Sequence, residues 1–215
     1  GGMDLKWGVN EAFTLDMTLI PDFGQVQFDN QVLNTSPFEV RFNERRQFFT
    51  EGTELFNKPG GIFYSRRIGG APVNSGEVDS DLNENEIIIQ NPTTSQLLNA
   101  TKLSGRTKKG TGIGIFNAVT GPMNAVIEDS ITGAQRSYRT GPLSNYNVLV
   151  VDQNLKNNSS VALTNTNVWR EGAVYDANVT SGVVDVYTKG QKYNFWAIGN
   201  VSQIINEDST DFGHN

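Results

Sequence analysis

One stretch of the sequence, residues 37–52, concentrates the side chains that could do chemistry. Two carboxylates facing a cleft can serve as the acid and the base of glycoside hydrolysis. Alternatively, arginines neutralise the carboxylates in a structural ion network, and phenylalanines fill the space around it. Three arginines balance three glutamates, and no substrate cleft is recognisable, so the structural network is favoured. Its members are Glu39, Arg41, Glu44, Arg45, Arg46 and Glu51.

Cysteine and histidine are almost missing, which limits the metal and nucleophile chemistry that the chain can support. The sequence has no cysteine, and its one histidine, His214, is next to the last residue. A thiolate zinc site, an iron–sulfur cluster and a cysteine nucleophile are excluded, and we expect neither a metal nor a cofactor. Asp22 and Asp29 offer oxygen ligands to calcium, but their spacing matches no known calcium loop, so turn capping is favoured.

The charge of the chain argues against a nucleic-acid partner. The net charge is −6 and the pI is near 4.8, whereas binding to a phosphate backbone needs a basic face. Paired basic residues such as Arg66 and Arg67 are too few and too scattered to reverse this conclusion. We keep Arg66 and Arg67, with Asp22 and Asp29, as candidate ligand or interface residues.

The elements that position these side chains are predicted to be β-strands. Phe13–Leu19 alternates strictly between apolar and polar residues, as a half-buried strand does, and residues 5–9 are its expected hairpin partner. From residue 21 to residue 61 the alternation stops, and turn signals lie at both ends. We therefore predict an irregular, plug-like insert over 21–61, with a helical turn or two within 37–49.

The rest of the chain reads as strands and turns. Residues 62–65 and 86–89 are expected to be short strands, and the polar, acidic stretch 74–86 predicts a mobile loop. After residue 97, regularly spaced strands predict an antiparallel meander. Its strands are Leu97–Arg106, Gly112–Thr120, Met123–Asp129, Arg136–Thr140, Asn145–Asp152, Ser160–Arg170, Ala177–Tyr187 and Tyr193–Ile204.

Strand length and polarity favour a membrane barrel over a soluble sheet. Several predicted strands have about 9–11 residues, the length that spans a bilayer when tilted. On Ser160–Arg170, the apolar side chains Leu163 and Trp169 share a face with Asn165 and Asn167, and a water-filled lumen tolerates such polar residues. We predict an all-β fold in which residues 1–215 form one segment of an outer-membrane-type β-barrel containing the insert.

Five blocks of sequence resemble a known family. They are Thr18–Val26, Asn34–Gly52, Phe63–Gly69, Ala100–Arg106 and Pro142–Tyr146. The blocks resemble a family of Gram-negative envelope proteins called domain of unknown function 5916, whose members typically carry an N-terminal module like the family-nine carbohydrate-binding modules. The resemblance covers nearly the whole chain. It implies a large β-barrel-like domain in the outer membrane, of which this chain is a part, and it supplies no catalytic residues.

Three functions are open at this point. The favoured one is a non-enzymatic outer-membrane segment that acts in transport, assembly or surface scaffolding, with outer-membrane lipid as its partner. The second is an envelope carbohydrate-active hydrolase or glycan-binding domain that uses Glu39, Glu44 or Glu51. The third is a subunit of a larger envelope complex, joined to other envelope proteins through open β edges. Ser130 and Ser209 lie in three-residue matches to an O-glycosylation signal of Gram-negative envelope proteins.

Overall fold

A computed structural model describes residues 2–21, 41–57 and 61–214, and it confirms an all-β, antiparallel fold. One helical turn, α1 (Gln47–Thr50), and two 3₁₀ turns (Ser65–Arg67 and Val78–Asp81) interrupt the strands. No helix in these ranges is long and apolar enough to cross a bilayer. The strands are β1 (Met3–Gly8), β2 (Phe13–Leu19), β3 (Glu86–Gln90), β4 (Leu97–Arg106), β5 (Thr111–Thr120), β6 (Met123–Asp129), β7 (Gln135–Gly141), β8 (Ser144–Asn154), β9 (Ser160–Arg170), β10 (Asp176–Tyr187), β11 (Asn194–Ile205) and β12 (Thr210–His214).

Nine strands form the main sheet, in the order β1-β2-β4-β5-β8-β9-β10-β11-β12. Strands β4, β6 and β9 have the predicted boundaries. The prediction of one continuous meander is wrong at one point: β5 pairs directly with β8, while β6 and β7 leave the main sheet and β6 pairs with both β3 and β7. This pairing joins strands far apart in the chain, which local periodicity does not encode.

The main sheet is open. Strands β1 and β12 lie at its two edges, and within the described part of the chain each pairs on one side only. The finding is therefore an open antiparallel sheet and not a closed barrel.

The connections between strands differ strongly at the two ends of the main sheet. At one end they are all short. At the other end lie the two long ones, 20–96 and 121–143, which contain the insert and the three-stranded sheet. We call these the turn end and the loop end. The turn-end connections are 9–12, 107–110, 155–159 and 188–193.

A phenylalanine cluster joins the insert to one face of the main sheet. Phe116 on β5 is 3% exposed, and its ring centre lies 5.4–6.4 Å from four rings of the segment 48–63. Aromatic pairs at this separation add to the free energy of burial. The four rings are those of Phe48, Phe49, Phe56 and Phe63.

The prediction of a strand at 62–65 is wrong. These residues pair with no neighbouring strand in the described ranges. Instead Phe63 packs on Phe116, and the Tyr64 hydroxyl accepts a hydrogen bond from the Phe42 backbone at 2.8 Å. The apolar run belongs to the packing of the insert and not to a β ladder. Of the helical segment expected within 37–49, the structure contains the turn α1; residues 37–40 lie outside the described ranges.

The segment 74–86 is a loop with one 3₁₀ turn up to the start of β3; its predicted mobility stays a prediction, and it is attached to the three-stranded sheet. Val78 is fully buried beside Ala125 and Ile127 in a second small core beneath the three-stranded sheet. Arg136 on β7 binds both carboxylate oxygens of Glu86 at 2.7 Å, and this hydrogen bonding lowers the Glu86 pKa to about 2. The acidic residues of the segment are mostly exposed, but Val78 and the Glu86–Arg136 pair attach the segment to the three-stranded sheet.

Candidate functional site

The face of the main sheet beneath the insert, which we call the covered face, holds a buried lysine. The Lys102 side chain is 3% exposed, and its Nζ donates to the carbonyl oxygens of Phe48, at 2.9 Å, and of Glu51. It also lies 3.6 Å from the Asp16 carboxylate on the neighbouring strand. The last carbonyls of a helix have no partner within the helix, so Lys102 ties the end of α1 to the sheet.

Carboxylates and a second lysine surround this contact. Burial lowers the pKa of Lys102, while the charge and hydrogen bond of Asp16 act in the opposite direction. Lys6 on β1 is exposed and bonds Glu51 at 3.1 Å. Hydrogen bonds from Gln47 and then Lys6 lower the pKa of Glu51. Glu51 is therefore held ionised against lysines and not against the arginines of its own stretch.

A buried arginine holds the insert to the segment that follows it. Arg46 is 7% exposed and binds both oxygens of Glu44, at 2.8 and 2.7 Å. The same guanidinium donates to the carbonyl oxygens of Ser65, at 2.8 Å, and Ile68, at 2.6 Å, and lies over the Phe49 ring. Such bidentate, charge-assisted bonds are strong and geometrically specific. They connect residues 44–49 to residues 65–68.

The surroundings of Glu44 favour a structural role over acid–base catalysis. Burial acts to raise its pKa, but hydrogen bonds from Arg46 and Ser65 together with the Arg46 charge outweigh burial, and the pKa is lowered. A catalytic acid near neutral pH needs the opposite shift. Glu44 and Glu51 are both held by structural partners, and nothing in the described residues gives them a shared cleft.

The remaining predicted site residues are dispersed. Arg41 lies over the Tyr64 ring at 5.5 Å, and the Arg45 backbone donates to Glu44. Glu39, Asp22 and Asp29 lie outside the described ranges. In the described ranges, no three acidic or histidine side chains form a group that could hold a metal ion.

The two serines of the glycosylation matches lie in exposed turns. The Ser130 hydroxyl donates to the Asn85 carbonyl at 2.7 Å, and Ser209 lies in the turn between β11 and β12, where Asn206 donates to its hydroxyl at 3.3 Å. Both side chains are on the surface, and their modification stays a prediction.

Glycines on β5 make room for a second buried ion pair on the covered face. Arg106 pairs with Asp152 across Gly112, and the Asp152 side chain is fully buried. A Cβ at Gly112 would lie 2.7 Å from Leu55 and 2.8 Å from the Asp152 carboxylate. Gly112 and Gly114 of β5 therefore allow close packing of the insert.

The opposite face, which we call the open face, is apolar although nothing in the described ranges covers it. Leu163 is 55% exposed, Leu149 is 48% exposed and Phe195 is 64% exposed. The register places these side chains on one continuous surface, because paired residues of neighbouring strands share a face. Further members are Leu5, Trp7, Ile115, Val151, Trp169, Val184 and Val201.

A row of amide side chains crosses the open face. Asn117, Asn147, Asn167, Asn178 and Gln203 occupy consecutive register positions on five strands. Hydrogen bonds of 2.8–3.1 Å connect the whole row, with Asn165 bridging Asn167 and Asn178. Because the amides bond one another, they can lie among apolar side chains with much of their polarity satisfied.

Comparison with known proteins assigns the chain to a family. Residues 1–215 match the family model described as Domain of unknown function (DUF5916). The chain belongs to the DUF5916 family. The match confirms the resemblance to this family over residues 1–215. The comparison with curated proteins and the comparison with solved structures gave no match.

Sequence reasoning missed four charged residues of this DUF5916 chain: Asp16, Lys102, Arg106 and Asp152. Each lies on the covered face of a strand, where it pairs with another of the four. One signal was available: each is a charged residue inside a run that otherwise reads as a strand. Naming their partners required the strand register and the position of the insert.

Proposed function

We propose that the main sheet of this DUF5916 chain is a section of the wall of an outer-membrane β-barrel in a Gram-negative bacterium. The open face would contact lipid, and the insert would brace or block the interior. On this proposal the protein acts without catalysis, in transport, assembly or surface scaffolding.

One observation carries the proposal: a continuous set of apolar side chains is exposed on the open face, while the covered face, beside the apolar core around Phe116, buries two ion pairs. The covered face holds the ion pairs Lys102–Asp16 and Arg106–Asp152, whereas the open face carries leucine, isoleucine, valine and phenylalanine side chains. Water-soluble sheets place apolar side chains in the core and polar ones outside. Transmembrane barrels alternate in the opposite sense, apolar outward and polar inward.

The dimensions of the sheet support the same proposal. Strands β4, β5 and β8–β11 have 10–12 residues, close to the 9–11 that cross a bilayer at a tilt of about 45°. The short connections of the turn end and the long ones of the loop end match the short periplasmic turns and longer extracellular loops of such barrels. The outer edges of β1 and β12 would pair with further strands, since unpaired backbone is costly in lipid.

Partition into vesicles tests the proposal. We expect the urea-unfolded full-length protein, once diluted into phosphatidylcholine vesicles, to float with them in a density gradient and to resist extraction at high pH. Leu163→Arg places a charge at the middle of the open face and is expected to cost about 2–4 kcal/mol of insertion free energy, so the floating fraction falls.

Ile131→Arg provides the matched control. Ile131 is also exposed, at 74%, but it lies in the turn between β6 and β7, away from the main sheet. We expect this variant to float like the unchanged protein. Wild-type protein that folds fully without vesicles and stays at the bottom of the gradient would refute the proposal.

A further inference from the structure

The amide row of the open face has hydrogen-bonding capacity that it does not use internally. An amide carries two N–H donors and an oxygen that accepts two hydrogen bonds. Within the described ranges, Asn147, Asn167 and Asn178 each donate one hydrogen bond along the row, and Gln203 donates none. These side chains are partly exposed, so their remaining N–H groups are available to a molecule that lies on the open face.

The path of the row matters if the open face lies in a bilayer. The row crosses five neighbouring strands, a width of about 19 Å at about 4.8 Å per strand. Because barrel strands are tilted by about 35–45°, a row perpendicular to them climbs by about 12 Å through the bilayer. Part of the row is therefore expected at the depth of the acyl chains, where no water is present and each unbonded N–H group is costly.

A second copy of the chain would supply matching groups. Every amide offers both a donor and an acceptor, so the row can bond to an identical row, as a two-fold interface requires. In membranes, polar side chains that bond across an interface favour association.

Charge does not oppose such a contact, although the net charge of the chain is −6. On strands β5 and β8–β11, Asp176 is the one charged side chain of the open face. It lies at the loop end of β10 and accepts a hydrogen bond from the Arg170 backbone at 2.7 Å. Two copies can therefore approach each other through this face without facing blocks of like charge.

From the unused donors, the oblique path of the row and the scarcity of charge around it, we propose that the amide row is the contact line between two copies of this chain in the membrane. The proposal rests on the proposed function, since it places the open face in a bilayer. Both copies insert with the same end outward, and a two-fold axis along the membrane normal then brings row against row. Asn167, on the middle strand of the five, lies near the centre of the contact, and Leu163, toward the turn end, stays against lipid.

Cross-linking with a bifunctional maleimide tests the contact, because the chain has no cysteine of its own. Trp169→Cys places a thiol on β9 beside Asn167, and Phe195→Cys places one at the turn end of the same face. The two native side chains are equally exposed, at 65% and 64%. In phosphatidylcholine vesicles with lipid in large excess, we expect the Trp169→Cys protein to form cross-linked dimers and the Phe195→Cys protein to stay monomeric.

Asn167→Leu, combined with Trp169→Cys, removes the central amide and keeps a side chain of similar size. This protein should still float with vesicles, but its yield of cross-linked dimer should fall about fivefold or more. Asn124→Leu is the matched control, since Asn124 is exposed on β6 in the three-stranded sheet, and it should leave the yield unchanged. If Asn167→Leu does not float, Asn147→Leu takes its place, with the same loss expected.

Failure of this proposal is distinguishable from failure of the proposed function. Trp169→Cys protein that floats but cross-links no more than Phe195→Cys protein would overturn the contact between copies and leave the lipid-facing wall in place. The same holds if the yield is unchanged by Asn167→Leu, or if Asn124→Leu lowers it equally. Protein that does not float with vesicles would overturn both proposals.

Discussion

Replacing Lys102 with methionine is expected to lower the free energy of unfolding by about 3–5 kcal/mol. The substitution removes a buried charge and leaves Asp16 without its nearest cation on the sheet. It also leaves the carbonyls of Phe48 and Glu51 at the end of α1 without their donor. Urea unfolding, followed by tryptophan fluorescence, measures the change, and proteolysis within 41–57 should become faster because the insert loses its attachment.

Lys6→Met is the control for this prediction. Lys6 interacts with the same two acidic residues, Asp16 and Glu51, but its side chain is 63% exposed. Exposed ion pairs contribute about 0–1 kcal/mol, so this variant should remain close to wild type. Similar small losses in both variants would mean that Lys102 does not anchor the insert.

Phe116→Ala is also expected to lower the free energy of unfolding by about 3–5 kcal/mol. Phe116 is buried on β5 and contacts phenylalanine rings from the insert and from Phe63 just after it, so its removal opens a cavity at the junction of insert and sheet. Urea unfolding and proteolysis within 41–57 again provide the measurements.

Phe212→Ala is the matched substitution on the surface. The Phe212 side chain on β12 is 70% exposed, and its replacement should change the unfolding free energy by about 0.5 kcal/mol or less. If Phe116→Ala were no more damaging than Phe212→Ala, the insert would not be held by this aromatic cluster.

The strands of this protein could be predicted from sequence because their signal is local. In Ser160–Arg170 every second residue faces the same way, and the alternation ends where the strand ends. Strand β12 was missed because Thr210–His214 is a short, mostly polar edge strand with no clear alternation. The open and covered faces were harder to distinguish, since small and amide side chains occur on both.

The site could not be predicted from sequence, because its contacts join residues that are far apart in the chain. The insert is attached through hydrogen bonds from Lys102 to the carbonyls of Phe48 and Glu51, which lie far away in the chain. No sequence pattern in either segment predicts this contact. The amide row likewise becomes visible only when five strands are placed in register. Charge balance within 37–52 did indicate a structural network, but the charged partner of Glu51 is Lys6, outside that stretch.

Contact of the open face with lipid is the central claim, and the missing cysteines make it directly measurable. Single cysteines introduced on β9 as Leu163→Cys and Thr164→Cys would carry nitroxide labels in vesicle-reconstituted protein, without background labelling. Leu163 lies on the open face and Thr164 on the covered face. We predict that the label at 163 collides more often with oxygen, which concentrates in lipid, than with a water-soluble nickel chelate, and that the label at 164 shows no such preference. A label at 163 that is reached more readily by the nickel chelate would contradict a lipid-facing wall.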